Sequence, residues 1–514
     1  MALIDLLSNI PSSIKTQILG SETTKILRYT FANKNGVLED DILNEALILQ
    51  CGTHFFHRKK LRELIIACIP KEELSYFNTS SHSELESHVL NNKDRYADLL
   101  GIEQEFRLKM PVDERSNIEF SVPIYGENNG VKAYPHEYQL KLKKRVSDSL
   151  QNEMNPKILL TLPTGSGKTV LAMEAIIDIF RNRKFSEAPQ ILWLVSTKEL
   201  AEQSLNSFLQ FWKQKGDHKV IARRYFGNFN TIEPTSSSCI TFATYDLMIN
   251  RLDDKKLKKY MGNCDFMFID EAHYSQAEVY NKVIRLYCDT NKYARILALT
   301  ATPFRTDLNE FSGFKKYFKS LVQLDDVMNT DGLSPIQYLQ EGKYLSKLQT
   351  TNIYEKYAHQ RNEEYYKELH DRVLDVCKSV IDHKENMIIF AETKSHAVAL
   401  SIYLSKKNIQ NGLIVGETPD IRRKDLLSKF GDKENELNIL INHGILATGI
   451  DVPGMNAIMI LREIESPSLA LQIVGRAMRG PKNGGNEIND VYLTQNNFNY
   501  LSKYNIIEDI VLTK

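Results

Sequence analysis

Two short strings in this 514-residue chain have the residue types and spacing to hold and cut a phosphate chain. The first is Thr164-Gly165-Ser166-Gly167-Lys168-Thr169. It follows the apolar run KILLTL and precedes TVLAMEAIIDIF, whose apolar residues recur at helical spacing. That is the strand, glycine loop and helix order of a phosphate-binding loop. Gly165, Ser166 and Gly167 let backbone N–H groups turn toward phosphate oxygens, and the positive end of the following helix adds to the attraction. Lys168 is then placed to reach the β- and γ-phosphates of ATP, and Thr169 to set its hydroxyl on Mg²⁺. One position departs from the full pattern: Leu162 stands five before Gly167, where a small residue is usual.

The second string is Asp270-Glu271, at the end of the apolar run FMFI. The carboxyl end of a strand is where an α/β sheet presents its ligands. Asp270 can hold Mg²⁺ through water, and Glu271 can polarise an attacking water. Two adjacent carboxylates at a strand end can also serve as an ordinary helix cap. A phosphate loop one domain's length upstream favours the chemical reading.

Such strings need a frame of parallel strands and helices. From about residue 126, short apolar β-rich runs alternate with amphipathic helical stretches, the pattern of βαβ units. KILLTL, ILWLVS, CITFAT, DFMFID and RILALT form a first set. MIIFAE, GLIVGE, LNILIN and AIMILRE form a second, after a less regular stretch at about 305–375. The reading is two α/β domains in tandem, 126–325 and 326–514. Residues 1–125 read as a mainly helical accessory domain, because LIDLLSNI, DILNEALIL and KKLRELIIACI repeat apolar residues at helical spacing.

Lys+Arg and Asp+Glu both count 65, so bulk charge argues for no partner, and a nucleic acid would need a local basic groove. The start of the chain has no basic n-region, and no apolar run is long enough to cross a membrane, so a cytoplasmic protein without a membrane partner is expected. Six cysteines without a CxxC suit reduced thiols. Cys51, His54, His57 and Cys68 could hold zinc, though a helix with buried Cys and His explains them as well. The basic run His57–Arg62 could touch a nucleic-acid backbone or be a solvated helix face. His57 and Lys59 begin an HxK nuclease pattern, but Leu64 stands where its Asp is required.

Asp270-Glu271-Ala272-His273 spells the DEAH box, and the chain resembles the superfamily 2 helicases over about residues 126–495. The other strings follow in that family's order. Tyr138-Gln139 resembles the Q motif, Val195–Leu200 with Gln203 motif Ia, and Thr241–Tyr245 motif Ic. Thr300-Ala301-Thr302-Pro303 resembles motif III, and Ile388–Ala391 with Thr393 motif IV. Ala447–Pro453 resembles motif V, and Gln472–Arg479 motif VI. Thr-Ala-Thr-Pro-Phe-Arg and the segment Gln340–Leu345 point toward the excision-repair and restriction-translocase branch.

The resemblance implies two RecA-like domains with ATP and Mg²⁺ between them. It implies that Gln139 reads adenine and that Gly449 and Asp451 sit at the cleft near the sugar or the water. Gln472, Arg476 and Arg479 join Lys168, Asp270 and Glu271 as catalytic candidates, the two arginines being fingers that cross to the γ-phosphate. Three apart on a predicted helix, the arginines project from nearly one face. The nucleic-acid track falls on Thr197, Lys198, Thr244, Thr393 and Thr448, where strand-end or N-cap roles compete. The implied activity is an ATP-dependent translocase or helicase, on DNA rather than RNA, in repair, restriction or antiviral defence. The alternative is an ATP-switched sensor or remodelling subunit of a larger complex, without strand separation. The N-terminal domain is then a regulatory, substrate-loading or protein-docking module.

Overall fold

The computed structural model describes residues 7–33, 36–51, 59–91, 117–120, 135–182, 186–233, 235–272, 278–301, 318–353, 361–418, 420–430, 432, 437–444, 452 and 454–503. Among the described residues the chain opens with five α-helices: α1 (Ser12–Leu19), α2 (Ser21–Phe31), α3 (Asp40–Cys51), α4 (Lys59–Ala67) and α5 (His82–Asn91). Eight strands then build a first sheet: β1 (Asn117–Phe120), β2 (Lys157–Thr161), β3 (Gln190–Val195), β4 (Val220–Tyr225), β5 (Cys239–Thr244), β6 (Phe266–Ile269), β7 (Ile296–Thr300) and β8 (Ser320–Val322). Their order is β1-β4-β5-β3-β6-β7-β2-β8, parallel except for β1, which runs antiparallel to β4. Helices α6 (Glu137–Asn152), α7 (Lys168–Asn182), α8 (Lys198–Lys215), α9 (Tyr245–Ile249), α10 (Lys255–Asn263) and α11 (Glu278–Thr290) connect them.

The second sheet is wholly parallel, in the order β11-β12-β10-β13-β14-β9. Its strands are β9 (Lys347–Ile353), β10 (Met387–Phe390), β11 (Asn411–Ile414), β12 (Ile439–Asn442), β13 (Ala457–Ile460) and β14 (Ile488–Thr494). The helices here are α12 (Pro335–Glu341), α13 (Glu363–Asp382), α14 (Lys394–Lys406), α15 (Asp420–Lys429), α16 (Pro467–Val474) and α17 (Gln495–Lys503). These are two RecA-like lobes preceded by a mainly helical region, as the alternating pattern implied.

The nine apolar runs read from the sequence are β2, β3, β5, β6, β7, β10, β11, β12 and β13. Strands β1, β4, β8, β9 and β14 were not among them. β9 (KLQTTNI) is the edge strand of its sheet and mostly polar, so it lacks the apolar run that marks a buried parallel strand. β4 (VIARRY) hides two charges: Arg223 and Arg224 are buried, and Arg224 makes a bidentate pair with Glu202 at 2.8 and 2.7 Å. β1 lies in the stretch Pro111–Pro123, which reads from the sequence as a connector of the accessory domain, and it caps the edge of the first sheet.

The helical region packs on the second lobe, although the first lobe follows it in sequence. Helices α2 and α3 lie on α13 and α14, and one apolar core runs from Leu27, Leu43 and Leu47 to Val398, Ile402 and the strand residue Ile389. Helix α14 explains the arrangement, because its ten residues Ser395–Leu404 are all buried. A helix apolar all round needs cover on both sides: the sheet supplies one, α2 and α3 the other. Polar contacts set the register of the seam. The hydroxyls of Thr23 and Ser395 are 2.9 Å apart, Lys406 meets Asp41 at 2.8 Å, and the Tyr29 and Tyr366 rings stack at 6.1 Å.

Under this seam two histidines stack, His370 on α13 and His396 on α14, with ring centroids 5.3 Å apart. Neither ring nitrogen of His370 has a hydrogen-bond partner among the described residues. Burial holds its pKa well below the ordinary histidine value, helped by His396. His396 is also lowered by burial, although the nearby Glu392 carboxylate opposes the shift. Both therefore fold neutral, and the unfolded chain binds more protons once pH falls below about 6.5. The contribution of the two rings to stability should be flat above about pH 7 and fall between pH 6.5 and 5.5, by up to about 1.4 kcal/mol per unit for each ring. Denaturant midpoints across that range check this. A His370→Leu variant should change the slope in that range by up to about 1.4 kcal/mol per unit relative to wild type, and an unchanged slope would contradict the assignment.

Candidate nucleotide site and nucleic-acid track

Strand β2 ends at Thr161, and the loop that follows curls back before α7 begins at Lys168. Gly165 and Gly167 have φ of 80° and 79°, a left-handed backbone that glycine adopts without strain. A β-carbon on Gly167 would also strike the Gln139 side chain. Tyr138 and Gln139, both on α6, hold this loop from behind. The Tyr138 hydroxyl and Gln139 Nε2 both donate to the Ser166 carbonyl, at 2.6 and 2.9 Å. Ser166 Oγ donates to the Pro163 carbonyl at 2.6 Å. Buried Lys168 donates from Nζ to the carbonyls of Leu162 and Pro163, at 3.2 and 3.3 Å.

Asp270 and Glu271 follow β6, two strands from β2 with β7 between them. Ladder register aligns these ends: Thr161 pairs with Thr300, and the Asp270 N–H donates to the Leu194 carbonyl at 3.0 Å. Burial pushes the Asp270 carboxyl up to about 7, and the Glu271 charge adds to the rise. Lys168 opposes it, and so does a hydrogen bond from the Thr169 hydroxyl. Asp270 and Thr169 thus form an oxygen pair at the loop, the donor type that suits Mg²⁺. A bound divalent ion would keep Asp270 ionised at neutral pH. Glu271 has a φ of 49°, a left-handed backbone that a non-glycine residue holds only with support from its surroundings. His273, Thr302 and Pro303 lie outside the described residues.

The second lobe closes on this loop. Helix α16 carries the buried Gln472 and ends at Val474. Gly475 sits so close that a β-carbon there would strike Thr164, and its carbonyl faces Gly165. Arg476 lies on the short 3₁₀ turn Gly475–Met478. Its charge acts on Lys168, whose pKa is lowered first by burial and then by Arg476, against the pull of Glu271 and Asp270. Lys168, Asp270, Glu271 and Arg476 are therefore one electrostatic cluster drawn from both lobes.

The expectation that Arg476 and Arg479 share a helix is corrected by the backbone. Arg479 lies beyond the turn with extended angles, pairs with Leu345 in a bridge, and accepts the Ser346 hydroxyl at its carbonyl. Gly475–Met478 tightens into a 3₁₀ turn where the two lobes touch, so the α-helical spacing stops at Val474. Gly449, Asp451 and Thr448 lie outside the described residues.

The candidate track residues stand at carboxyl ends of strands. Thr197 follows β3 and caps α8, accepting the Leu200 N–H at 3.3 Å. Thr393 follows β10 and caps α14, accepting the His396 N–H at 3.1 Å. Thr244 ends β5, is buried, and makes no side-chain cap bond. Lys198 is exposed and lies 3.6 Å from Glu199. A capping hydroxyl accepts one N–H and keeps its own proton to donate, so capping leaves Thr197 and Thr393 able to bind a phosphate oxygen. Arg62, from the basic N-terminal run, is buried and paired with Glu86, so that part of the run is no free basic face. His54 and His57 lie outside the described residues, among which no metal-binding cluster occurs. No helix among the described residues is long and apolar enough to cross a membrane.

Known proteins share this architecture. Residues 132–305 match the family described as the type III restriction enzyme res subunit, and residues 370–481 match the helicase conserved C-terminal domain. The EcoKI type I restriction endonuclease subunit of Escherichia coli is 24% identical over 413 residues, covering 69% of this chain and 34% of that subunit. The DNA 3'-5' translocase XPB2 of Sulfurisphaera tokodaii is 23% identical over 364 residues, covering 62% of this chain and 74% of that protein. Saccharomyces cerevisiae Dbp5, solved with RNA and ADP BeF3, superposes with a TM-score of 0.52 at 18% identity, over 73% of this chain and 88% of that one. The chain spans between 34% and 58% of the length of three of the curated relatives it matches. The two matched families together take up more than half of the chain, one per lobe, and the chain belongs to the superfamily 2 helicases.

Proposed function

We propose that this protein is an ATP-driven motor that moves along DNA, with Asp270–His273 as a DEAH box. The observation that carries the reading is the cluster of Lys168, Asp270, Glu271 and Arg476, assembled from two lobes around one glycine loop. Phosphoryl transfer to water is limited by charge and positioning, and this cluster offers both. Lys168 meets the phosphate charge, Thr169 and Asp270 hold Mg²⁺, and Glu271 orients the water. Mg²⁺ supplies further positive charge on the phosphate oxygens. Arg476 reaches the γ-phosphate from the second lobe, so that hydrolysis loosens the grip between lobes.

Thr197, Lys198, Thr244, Thr393 and Thr448 hold sugar-phosphate on both lobes, and phosphate contacts alone read no sequence. DNA is favoured over RNA because curated relatives named as a restriction endonuclease subunit and as a DNA translocase align over 69% and 62% of this chain. The same likenesses favour a setting in repair, restriction or antiviral defence. The helical region offers a protein-docking face that rides on the second lobe.

The test is steady-state ATP turnover of the full chain with single-stranded DNA, duplex DNA, forked DNA and RNA in parallel. Stimulation by one of the DNAs of about tenfold or more over the protein alone is expected. Equal turnover with and without every polynucleotide would sink the motor reading, and stimulation by RNA alone would sink the preference for DNA.

A further inference from the structure

The segment Gly342–Ser346, between α12 and β9, reaches from the second lobe into the first. Lys343 has a φ of 61°, and the turn it makes lays the Tyr344 ring over Gly342, where a β-carbon would strike it. The ring meets two first-lobe residues edge-on: Tyr138 at 5.0 Å and His136 at 4.7 Å between centroids. The Lys482 ammonium sits 4.0 Å from the centre of the same ring. The backbone here is tied to the stretch that follows Arg476. The Tyr344 carbonyl accepts Asn483 Nδ2 at 2.8 Å and the Gly480 N–H at 3.2 Å, and the Ser346 N–H donates to the Met478 carbonyl at 3.0 Å. Asn483 also bonds across the cleft, its Oδ1 lying 2.7 Å from His136 Nε2. The His136 N–H donates to Gln139 Oε1 at 2.8 Å.

Both first-lobe routes end on one atom, the Ser166 carbonyl oxygen, held by the Tyr138 hydroxyl and by Gln139 Nε2. A trans peptide points its C=O and the following N–H in opposite directions. Anchoring the Ser166 carbonyl toward α6 therefore turns the Gly167 N–H the other way, into the phosphate cradle.

We propose that Tyr344 is a positioning residue for ATP hydrolysis: it braces the arginine-bearing segment of the second lobe against the two side chains that orient the Ser166–Gly167 peptide. Closure of the second lobe and alignment of the phosphate loop then become one event. The inference rests on the ATPase reading above. It differs from that reading in placing part of the control outside the residues that touch phosphate.

Wild-type turnover at saturating ATP and DNA is measured first, and a wild type without turnover overturns both readings. With wild type active, Tyr344→Ala should lower kcat by about tenfold or more, because small misplacements of reacting groups carry large rate costs. The ATP dissociation constant of the full chain should change by less than about threefold, since Lys168 and the loop remain. Tyr344→Phe keeps the ring and the lysine over it, and should stay within about twofold of wild type. A folded Tyr344→Ala protein with wild-type kcat overturns the proposal. So does parallel loss of kcat and affinity, or failure of Tyr344→Phe to restore kcat. Should Tyr344→Ala melt below the assay temperature, the His136→Ala and Asn483→Ala cycle decides. Single and double variants that slow kcat to the same extent support one shared brace, and effects that multiply overturn it.

Discussion

Replacing Lys168 with alanine is expected to lower ATP turnover by about a thousandfold or more, leaving no measurable hydrolysis. The ammonium lies buried at the head of α7, where its acceptors among the described residues are the loop carbonyls of Leu162 and Pro163. Those neutral acceptors are weaker partners than a phosphate oxygen, so the charge stays poised for a triphosphate. Burial lowers the lysine pKa, while Glu271 and Asp270 support its charge. In the alanine variant the two carboxylates lose that cation, and Asp270, already near 7, should rise further. The fold should survive, since a buried charge with imperfect partners adds little stability. Phosphate release at saturating DNA, with thermal melting as control, checks the result. A folded variant within tenfold of wild-type turnover would refute the assignment of the loop.

Arg476→Ala should slow hydrolysis on the order of a thousandfold while ATP affinity of the full chain changes little. Arg476 comes more than three hundred residues after Lys168, yet its charge is among the causes that lower the Lys168 pKa. Like charges repel, and a phosphate bound between two cations relieves that repulsion. An arginine on the second lobe therefore acts mainly on charge that develops during transfer. Thermal melting of the variant checks that it is folded. A surface arginine in an ordinary ion pair would instead cost about 1 kcal/mol or less of stability and little rate. Turnover within a few-fold of wild type would exclude a role in transition-state stabilisation.

The chemistry was legible because it sits where strands end. Lys168, Asp270 and Glu271 each follow a run of buried apolar residues, and a fully covered parallel strand must read as such a run. The same rule hid β9, which is mostly exposed or half-buried, and β14, whose burial largely alternates, since both leave polar residues in the strand. The arginine pair was misread for a different reason. Helical periodicity continues through Gly475 on paper, but close contact with Thr164 tightens the chain there, and no local preference announces a neighbour from the other lobe.

Sequence by itself determined the two parallel sheets, the glycine loop with its strand and helix, and the residue types at the site. Each follows from periodicity and local backbone freedom, which act over a few residues. Only tertiary structure decided that the N-terminal helices seat on the second lobe, that the Arg476 charge acts on Lys168, and that Tyr344 meets Tyr138 and His136. The all-round apolar surface of α14 required a covering layer without naming it. These contacts join segments tens to hundreds of residues apart, and the cost of closing such loops grows only slowly with their length. Chain distance therefore places almost no limit on which distant surfaces meet, and shape and charge complementarity in the folded chain make the choice.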